Sequence, residues 1–252
     1  MAQLSPDQQP PELSVVAPLY GTAESLAELV ERTRRGLEGV DWELILVDDA
    51  SPDGAAELAL RIAEEEPRVG VLALARNGGQ SEALRAGALL TRGRRVAFID
   101  ADLQDPPEIL PRLLAAGHGA ELVFGIRGGA YQSLARRLSS RIFKALRSRL
   151  CRVPAGAGLL LLADGELLRR VARQAPYPCR WIPLLGSLRP TMAAVPIVRA
   201  ERPRGQSAYV GLMRSRIGLA ELAAALRLRC GLAPGAERQG EPAARFVRLP
   251  GI

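Results

Sequence analysis

The sequence predicts an α/β fold, a mostly parallel sheet with helices on both faces, and three observations predict it. Short apolar, β-branched runs alternate with amphipathic stretches over residues 13–125, the order of successive βαβ units. The runs are apolar without interruption, as strands buried on both faces are. Two of them stop at acids, and in such sheets ligands bind beyond the carboxyl ends of the strands.

Taken in order, the first twelve residues are rich in Pro and Gln and predict a loose arm. Leu13–Pro18 (LSVVAP) is the first strand, and Thr22 is placed to cap a helix through Gly36 with Leu26, Leu29, Val30 and Thr33 on one face. Glu43–Val47 (ELILV) is the second strand, halted by Asp48-Asp49, after which Asp53 is placed to cap a helix reaching Glu65. Val69–Ala75 is the third strand, Asn77-Gly78-Gly79 breaks it, and a helix follows from Ser81 to Thr91. Arg95–Ile99 (RVAFI) is the fourth strand, ending at Asp100; Pro106-Pro107 starts a helix through Ala116, and Glu121–Gly125 is the fifth strand. The strand ends thus carry Tyr20, Asp48, Asp49, Arg76, Asn77, Asp100 and Asp102.

The second half is less regular. Residues 130–150 read as a basic amphipathic helix, with Leu134, Leu138, Ile142 and Leu146 on one face and Arg137, Arg141 and Lys144 on another. Residues 154–162 are small and then leucine-rich, Gly165–Arg173 is helical, Thr191–Ala200 is a strand, Glu201–Tyr209 a polar loop and Leu212–Arg229 a Leu/Arg helix. From Ala233 onward the composition predicts a disordered tail. The expected division is therefore an arm at 1–12, one domain at 13–210 (a nucleotide-binding half at 13–125, an acceptor half at 126–210), a helix at 211–232 and a tail at 233–252.

Composition narrows the chemistry. Of 252 residues, 48% are hydrophobic and 24% charged, the balance of a folded domain with ample core. No apolar run approaches the ~18 residues of a membrane-spanning helix, and the start MAQLSPDQQPPEL lacks a secretory signal's basic and apolar regions. Three widely spaced cysteines argue against a disulfide framework and against zinc. The single histidine, His118, and single lysine, Lys144, exclude mechanisms needing several histidines or a phosphate-loop lysine elsewhere. Chemistry must run on carboxylates, arginines, backbone amides and a metal. His118 lies between a helix and a glycine and reads as surface, and Trp42 and Trp181 read as packing residues, with Trp181 also near an acceptor in the alternative.

Charge is unevenly placed. Residues 1–125 hold 11 Lys/Arg against 21 Asp/Glu, whereas 126–252 hold 23 against 6, and no acid occurs between Glu121 and Asp164. An anionic partner for the second half accounts for this, and a composition that favours Arg over Lys accounts for part of it.

Two motifs carry most of the chemical signal. In Phe98-Ile99-Asp100-Ala101-Asp102-Leu103-Gln104-Asp105-Pro106-Pro107-Glu108, two carboxylates two residues apart stand just beyond a buried strand. A divalent cation compensates such charge, and Mg²⁺ sits characteristically between one or two carboxylates and substrate phosphates. In Val47-Asp48-Asp49-Ala50-Ser51-Pro52-Asp53-Gly54, the adjacent acids can accept hydrogen bonds from a base edge or a ribose, while Asp53 reads better as a helix cap.

With these motifs in view, the chain resembles the family 2 glycosyltransferases of the GT-A fold, and within them the dolichyl- and polyprenyl-phosphate sugar synthases. The resemblance is carried by SVVAPLY (Ser14–Tyr20), LILVDDASPDG (Leu44–Gly54), ARNGGQSEALRAGALLTRGRRVAFIDADLQDPPE (Ala75–Glu108) and AERPRGQSAYV (Ala200–Val210). It implies that Pro18, Tyr20 and Asp48, with Asp49 and Arg76 alongside, line the nucleoside pocket. It implies Asp100 and Asp102 as ligands of Mg²⁺ or Mn²⁺ against the diphosphate, with Gln104 close by, and Arg127, Arg202 and Ser207 on phosphates. The donor is then a UDP- or GDP-sugar, the acceptor a lipid phosphate, and the basic helix at 130–150 lies on an anionic membrane surface or, in the alternative, packs on the sheet with solvated arginines.

Three positions depart from the family pattern. Gly21-Thr22 stand where Asn-Glu is usual, Ala155–Leu161 replace a segment carrying an acceptor-side carboxylate, and Ala208 replaces a lysine. A hydroxyl acceptor needs a base, whereas a phosphate with a second pKa near ~6 is already ionised at neutral pH. The missing carboxylate therefore points to a phosphate acceptor. The expected activity is a metal-assisted inverting transfer, with Asp100, Asp102 and Arg202 at its centre, by a cytoplasmic protein peripheral to the inner face of the membrane. Three alternatives stand: a decayed binding or scaffold protein, a transferase acting on a soluble acceptor, and a nucleic-acid binder or nucleotidyltransferase. The last is disfavoured because only 4% of residues are aromatic, too few for a stacking surface, so no nucleic acid is expected.

Overall fold

The computed structural model describes residues 9–128, 145–198, 211–230 and 244–250. Leu13–Leu19 (β1), Trp42–Asp48 (β2), Val69–Leu74 (β3) and Arg95–Phe98 (β4) form the strands of the first half. Between them lie Ala23–Gly36 (α1), Ala55–Glu65 (α2) and Gln80–Ala88 (α3). A 3₁₀ turn at Pro107–Ile109 leads into Leu110–Gly117 (α4), and Leu122–Gly128 (β5) closes this half. There follow a helical stretch over 145–151, Leu161–Asp164 (β6), Gly165–Gln174 (α5), Trp181–Ser187 (α6), Met192–Val198 (β7), Gly211–Arg229 (α7) and Ala244–Arg248 (β8).

All eight strands join one sheet in the order β7-β5-β6-β4-β1-β2-β3-β8. Strands β4, β1, β2 and β3 are mutually parallel, as are β5 and β7. Because β6 runs antiparallel to both β4 and β5, β4 and β5 point the same way, so the carboxyl ends of β1 to β5 lie along one edge. The period of two in each strand divides its apolar side chains between two cores. Leu13, Val15, Ala17 and Leu19 of β1 join Leu44 and Leu46 of β2 under α1, α2 and α4, while Val16, Ile45, Val47 and Phe98 face α3, α5 and α6. Helix α1 buries Leu26, Leu29, Val30 and Thr33, the face its periodicity predicts.

Three elements differ from the sequence expectation. Leu161–Asp164, read only as the end of a leucine-rich stretch, is a central strand whose Leu161, Leu162 and Ala163 are buried, and three apolar residues carry no period that separates strand from helix. Trp181–Ser187 is a helix despite Pro183 and Gly186, and Gly186 sits against the Cys151 carbonyl where any Cβ would collide. Within the tail expected to be disordered, Ala244–Arg248 instead adds an antiparallel edge strand to β3, pairing Phe246 with Ala73. Thr22 precedes α1 but its hydroxyl makes no capping bond. All three cysteines are free, Cys151 and Cys179 buried, and burial pushes the Cys151 thiol up to about 11. Among the described residues no helix is long and apolar enough to cross a membrane.

Candidate active site

The strand ends at the common edge are tied together by side chains of the loops that follow them. After β1, Tyr20 is 46% exposed and Gly21 turns the chain at φ +65°. Gly21 N donates to Ser51 Oγ (2.7 Å), which donates to Asp53 Oδ1 (2.6 Å), while Ala23 N donates to Asp53 Oδ2 (2.8 Å). Asp53 therefore satisfies the first amide of α1 as well as Ala55 N of α2 (3.3 Å), and the residue that directly precedes α2 is Gly54 at φ +79°. Burial raises the Asp53 carboxyl, but the bonds from Ser51, Ala23 and Ala55 together hold it below the ordinary value.

After β2, the two acids part company. Asp48 is 3% exposed and both its oxygens accept from Ser51 N, at 3.3 and 3.2 Å. Asp49, also 3% exposed, accepts from Gly78 N (2.7 Å) and Gly79 N (2.8 Å), one on each oxygen. Asp49 thus clamps the turn after β3, a contact the sequence reading did not include. Burial pushes both carboxyls above the ordinary value, against the opposing effect of these amide bonds. Strand β2 runs in register with β1 and pairs Asp48 with Leu19, which lies between Pro18 and Tyr20.

After β3, Arg76 and Asn77 are exposed at the edge. Gly79 adopts φ +85° and ψ 159°, a conformation open essentially to glycine alone, and α3 starts at the next residue. Gln80 Nε2 donates to Asp100 Oδ1 (2.5 Å). After β4, Ile99 N bonds Val16 O (3.1 Å) and Ser25 Oγ bonds Ala101 O (2.7 Å), fixing the loop that carries the acids. Asp100 and Asp102 are half-buried, Asp102 Oδ1 accepts from Gln104 N (3.1 Å), and Leu103 between them turns at φ +58°. Asp105 is fully buried. Glu108 is spent on Arg32 of α1, at 2.8 Å, and that hydrogen bond lowers its carboxyl.

Because β6 enters antiparallel and pairs Leu161 with Phe98, the preceding loop 155–160 comes to the same edge. Gly156 turns there at φ +90° and Ala157 is buried. Trp181 is 1% exposed, meets Phe98 edge-on with centroids 4.9 Å apart, and donates from Nε1 to Ser81 O (3.0 Å), so it packs instead of presenting a ring. Trp42 is likewise buried, beneath Arg68. His118 is exposed.

The backbone of β5 places Arg127 at the site edge, paired with Ile197, but its side chain lies outside the described residues. Arg202, Ser207 and most of the basic stretch 130–150 also lie outside them. Gln80, Ser25 and the amides of Gly78 and Gly79 tie the site loops together, contacts that motif reading passed over. The Asn-Gly-Gly-Gln turn after β3 was the available signal.

The donor set at Asp100 and Asp102 suits a hard divalent cation. Asp100 and Asp102 would hold such a cation through carboxylate oxygens, the ligand type Mg²⁺ takes. Among the described residues no group of three His, Cys, Asp or Glu side chains is placed to hold a metal ion by itself.

Comparison with known proteins sets this geometry in context. The sequence model described as glycosyl transferase family 2 matches residues 14–154, more than half of the chain. An undecaprenyl-phosphate 4-deoxy-4-formamido-L-arabinose transferase of Salmonella paratyphi B is 35% identical over 204 residues, 79% of this chain and 62% of its own length. The chain thus spans less than two thirds of the curated relatives it matches. Among solved structures, glucosyl-3-phosphoglycerate synthase from Mycobacterium tuberculosis with phosphoglyceric acid aligns at TM-score 0.62 and 24% identity, covering 96% of this chain and 90% of that one. A mannosyltransferase from Pyrobaculum calidifontis, in complex with GDP-Man and Mn²⁺, aligns at TM-score 0.59 and 18% identity, covering 93% and 66%. The fold is that of these GT-A enzymes.

Proposed function

We propose that this chain, which belongs to glycosyl transferase family 2, moves a sugar from a nucleoside-diphosphate donor to a lipid phosphate at a membrane surface. The observation that carries the reading is the pair of half-buried carboxylates, Asp100 and Asp102, just beyond β4 at the edge where the parallel strands end. The donor is a UDP- or GDP-sugar. Tyr20, Pro18 and the buried Asp48 form the nucleoside side of the site, and Asp100 and Asp102 hold Mg²⁺ or Mn²⁺ beside the diphosphate. When bound, the cation supplies Lewis-acid stabilisation of the charge that develops on the departing diphosphate.

This chain's own residues orient and exclude. Asp48 accepts hydrogen bonds from the nucleoside, and the Gly21–Ser51–Asp53 chain keeps the two loops around it from spreading. Arg127 and Arg202, with Ser207, meet phosphate oxygens of donor and acceptor. An acceptor oxygen bonds the anomeric carbon from the face opposite the diphosphate, and the electron pair of the breaking bond leaves with the nucleoside diphosphate, inverting the centre.

The acceptor assignment rests on the loop 155–160, which reaches the site edge with the sequence Ala-Gly-Ala-Gly-Leu-Leu and no carboxylate. A phosphate arrives ionised and asks for no base there. The relatives' names, undecaprenyl-phosphate transferases, support the same acceptor class, and the arginine-rich 130–150 stretch suits an anionic surface on the cytoplasmic side.

Titration calorimetry with UDP and GDP, with and without Mn²⁺, tests the donor half. Binding is expected only with metal, and Asp102→Ala is expected to abolish it; equal affinity in either condition rejects the cation site. Turnover is expected with polyprenyl phosphate in vesicles, and turnover confined to a soluble hydroxyl acceptor rejects the acceptor assignment.

A further inference from the structure

The Asp100–Asp102 and Asp48–Asp49 pairs are joined through hydrogen bonds and one backbone step. Asp49, adjacent to Asp48, clamps Gly78 N and Gly79 N at 2.7 and 2.8 Å; Gly79 leads directly into Gln80; Gln80 Nε2 reaches Asp100 Oδ1 at 2.5 Å. We propose that Gln80 is a positioning residue for the cation site, and that Asp49 sets Gln80 through the Gly78–Gly79 turn. The inference rests on the reading of Asp100 and Asp102 as the cation ligands.

Each link has a physical reason to be stiff. A carboxylate that takes one amide on each oxygen fixes the relative orientation of two successive peptide planes. Gly79 then directs the chain at a backbone angle few other residues adopt, so the first residue of α3 has one place to stand. The helix behind it is held against the sheet: a Cβ on Gly87 would come within 2.5 Å of Val16 Cγ1 and 2.7 Å of Val47 Cγ2, so the backbone packs directly on β1 and β2. One turn further in than Gln80, the buried Glu82–Arg85 pair (3.0 Å) anchors α3 to the second half through Cys179 N and Ala172 O.

The choice of glutamine follows from the electrostatics. A carboxylate beside a cation needs its rotamer fixed and its charge kept. An arginine or lysine at this position would fix the rotamer but cancel the charge. A neutral amide donor fixes it and leaves the charge in place, the role that outer-sphere hydrogen bonds play around ligating groups. The arrangement also couples the two ends of the pocket, since a shift of the Asp48-Asp49 turn is passed to the orientation of Asp100.

The test uses Mn²⁺ titrated into the full chain, in parallel with UDP and with GDP, free Mn²⁺ being followed by its EPR signal. Gln80→Leu, close in size but without the donor, is expected to weaken Mn²⁺ binding about 10–100-fold while leaving the metal-free melting curve in place. Asp49→Asn is expected to weaken Mn²⁺ binding in the wild-type background and to add little once Gln80 is Leu, because the two act in series. Should Gln80→Leu fail to fold, Gln80→Asn, one methylene too short to reach, must show the same loss. Wild-type Mn²⁺ affinity in Gln80→Leu or Gln80→Asn, with Asp102→Ala binding none, overturns the positioning role alone. So does full additivity of the Asp49 and Gln80 substitutions. Equal Mn²⁺ binding by wild type and Asp102→Ala overturns the cation site and the relay with it.

Discussion

Asp48 is held in its charged form against the preference of its surroundings. Burial raises its carboxyl above the ordinary value of 3.8, and the long bonds from Ser51 N only partly offset that. With the folded value above the unfolded one, the folded chain binds more protons between the two, so this group's contribution to stability falls as pH rises through that window. Asp48→Asn keeps an acceptor for Ser51 N and removes the buried charge. It is therefore expected to melt higher than wild type at neutral pH, with the gap closing once the pH drops below the ordinary carboxylate range, and to bind nucleotide more weakly. Melting curves across pH that show no gap at neutrality would count against burial as the cause. The acid pair itself was legible as a motif, yet the different protein partners of its two members were not. Those of Asp49 are the Gly78-Gly79 amides, thirty residues away in the chain.

At the scale of elements, α3 is the part that carries site geometry, and its glycine is what lets it approach. Gly87→Ala forces a methyl against Val16 and Val47, an overpacking expected to cost about 1–3 kcal/mol in denaturant unfolding, with a matching loss of Mn²⁺ affinity as Gln80 is displaced. A substitution that costs nothing would show that the helix can lift freely from the sheet. The strands β1 to β5 and the helices between them follow from periodicity and turn residues, and their predicted ends lie within a few residues of those observed. What escaped were short elements whose identity is decided by neighbours. Leu161–Asp164 is a strand because β4 and β5 flank it. Trp181–Ser187 is helical because Trp181 docks on Phe98 and Ser81 O and Gly186 accepts the Cys151 backbone.

Across the whole molecule, the two edges of the sheet divide the work. At the amino ends of the strands, Ser14 Oγ bonds Glu43 Oε1 (2.6 Å), Gly93 N bonds Ser14 Oγ (2.7 Å), and Arg92 pairs with Glu43 (2.8 Å), a buried polar lock remote from the site. At the carboxyl ends, Asp48, Asp49, Asp100 and Asp102 bond the loops that follow the strands, the edge at which the proposed site lies. The outer edge of β3 is covered by β8, whose follower Pro250 packs on Gly70. A chain ending at residue 243 would bare that edge, and exposed edges template association. Light scattering on heating is expected to show earlier aggregation of the shortened chain; an unchanged onset would mean that β8 adds nothing to the sheet.

The local order of apolar runs, glycines and acids determined by itself the α/β class, the edge at which the site forms and the acids that mark it, because burial period and turn chemistry are properties of adjacent residues. Only the tertiary structure decided the antiparallel insertion of β6, the capture of the C-terminal strand and the different hydrogen-bond partners of Asp48 and Asp49. Those depend on partners far apart in the chain, and the free energy of a hydrogen bond or a packed face exists only once the partner has arrived.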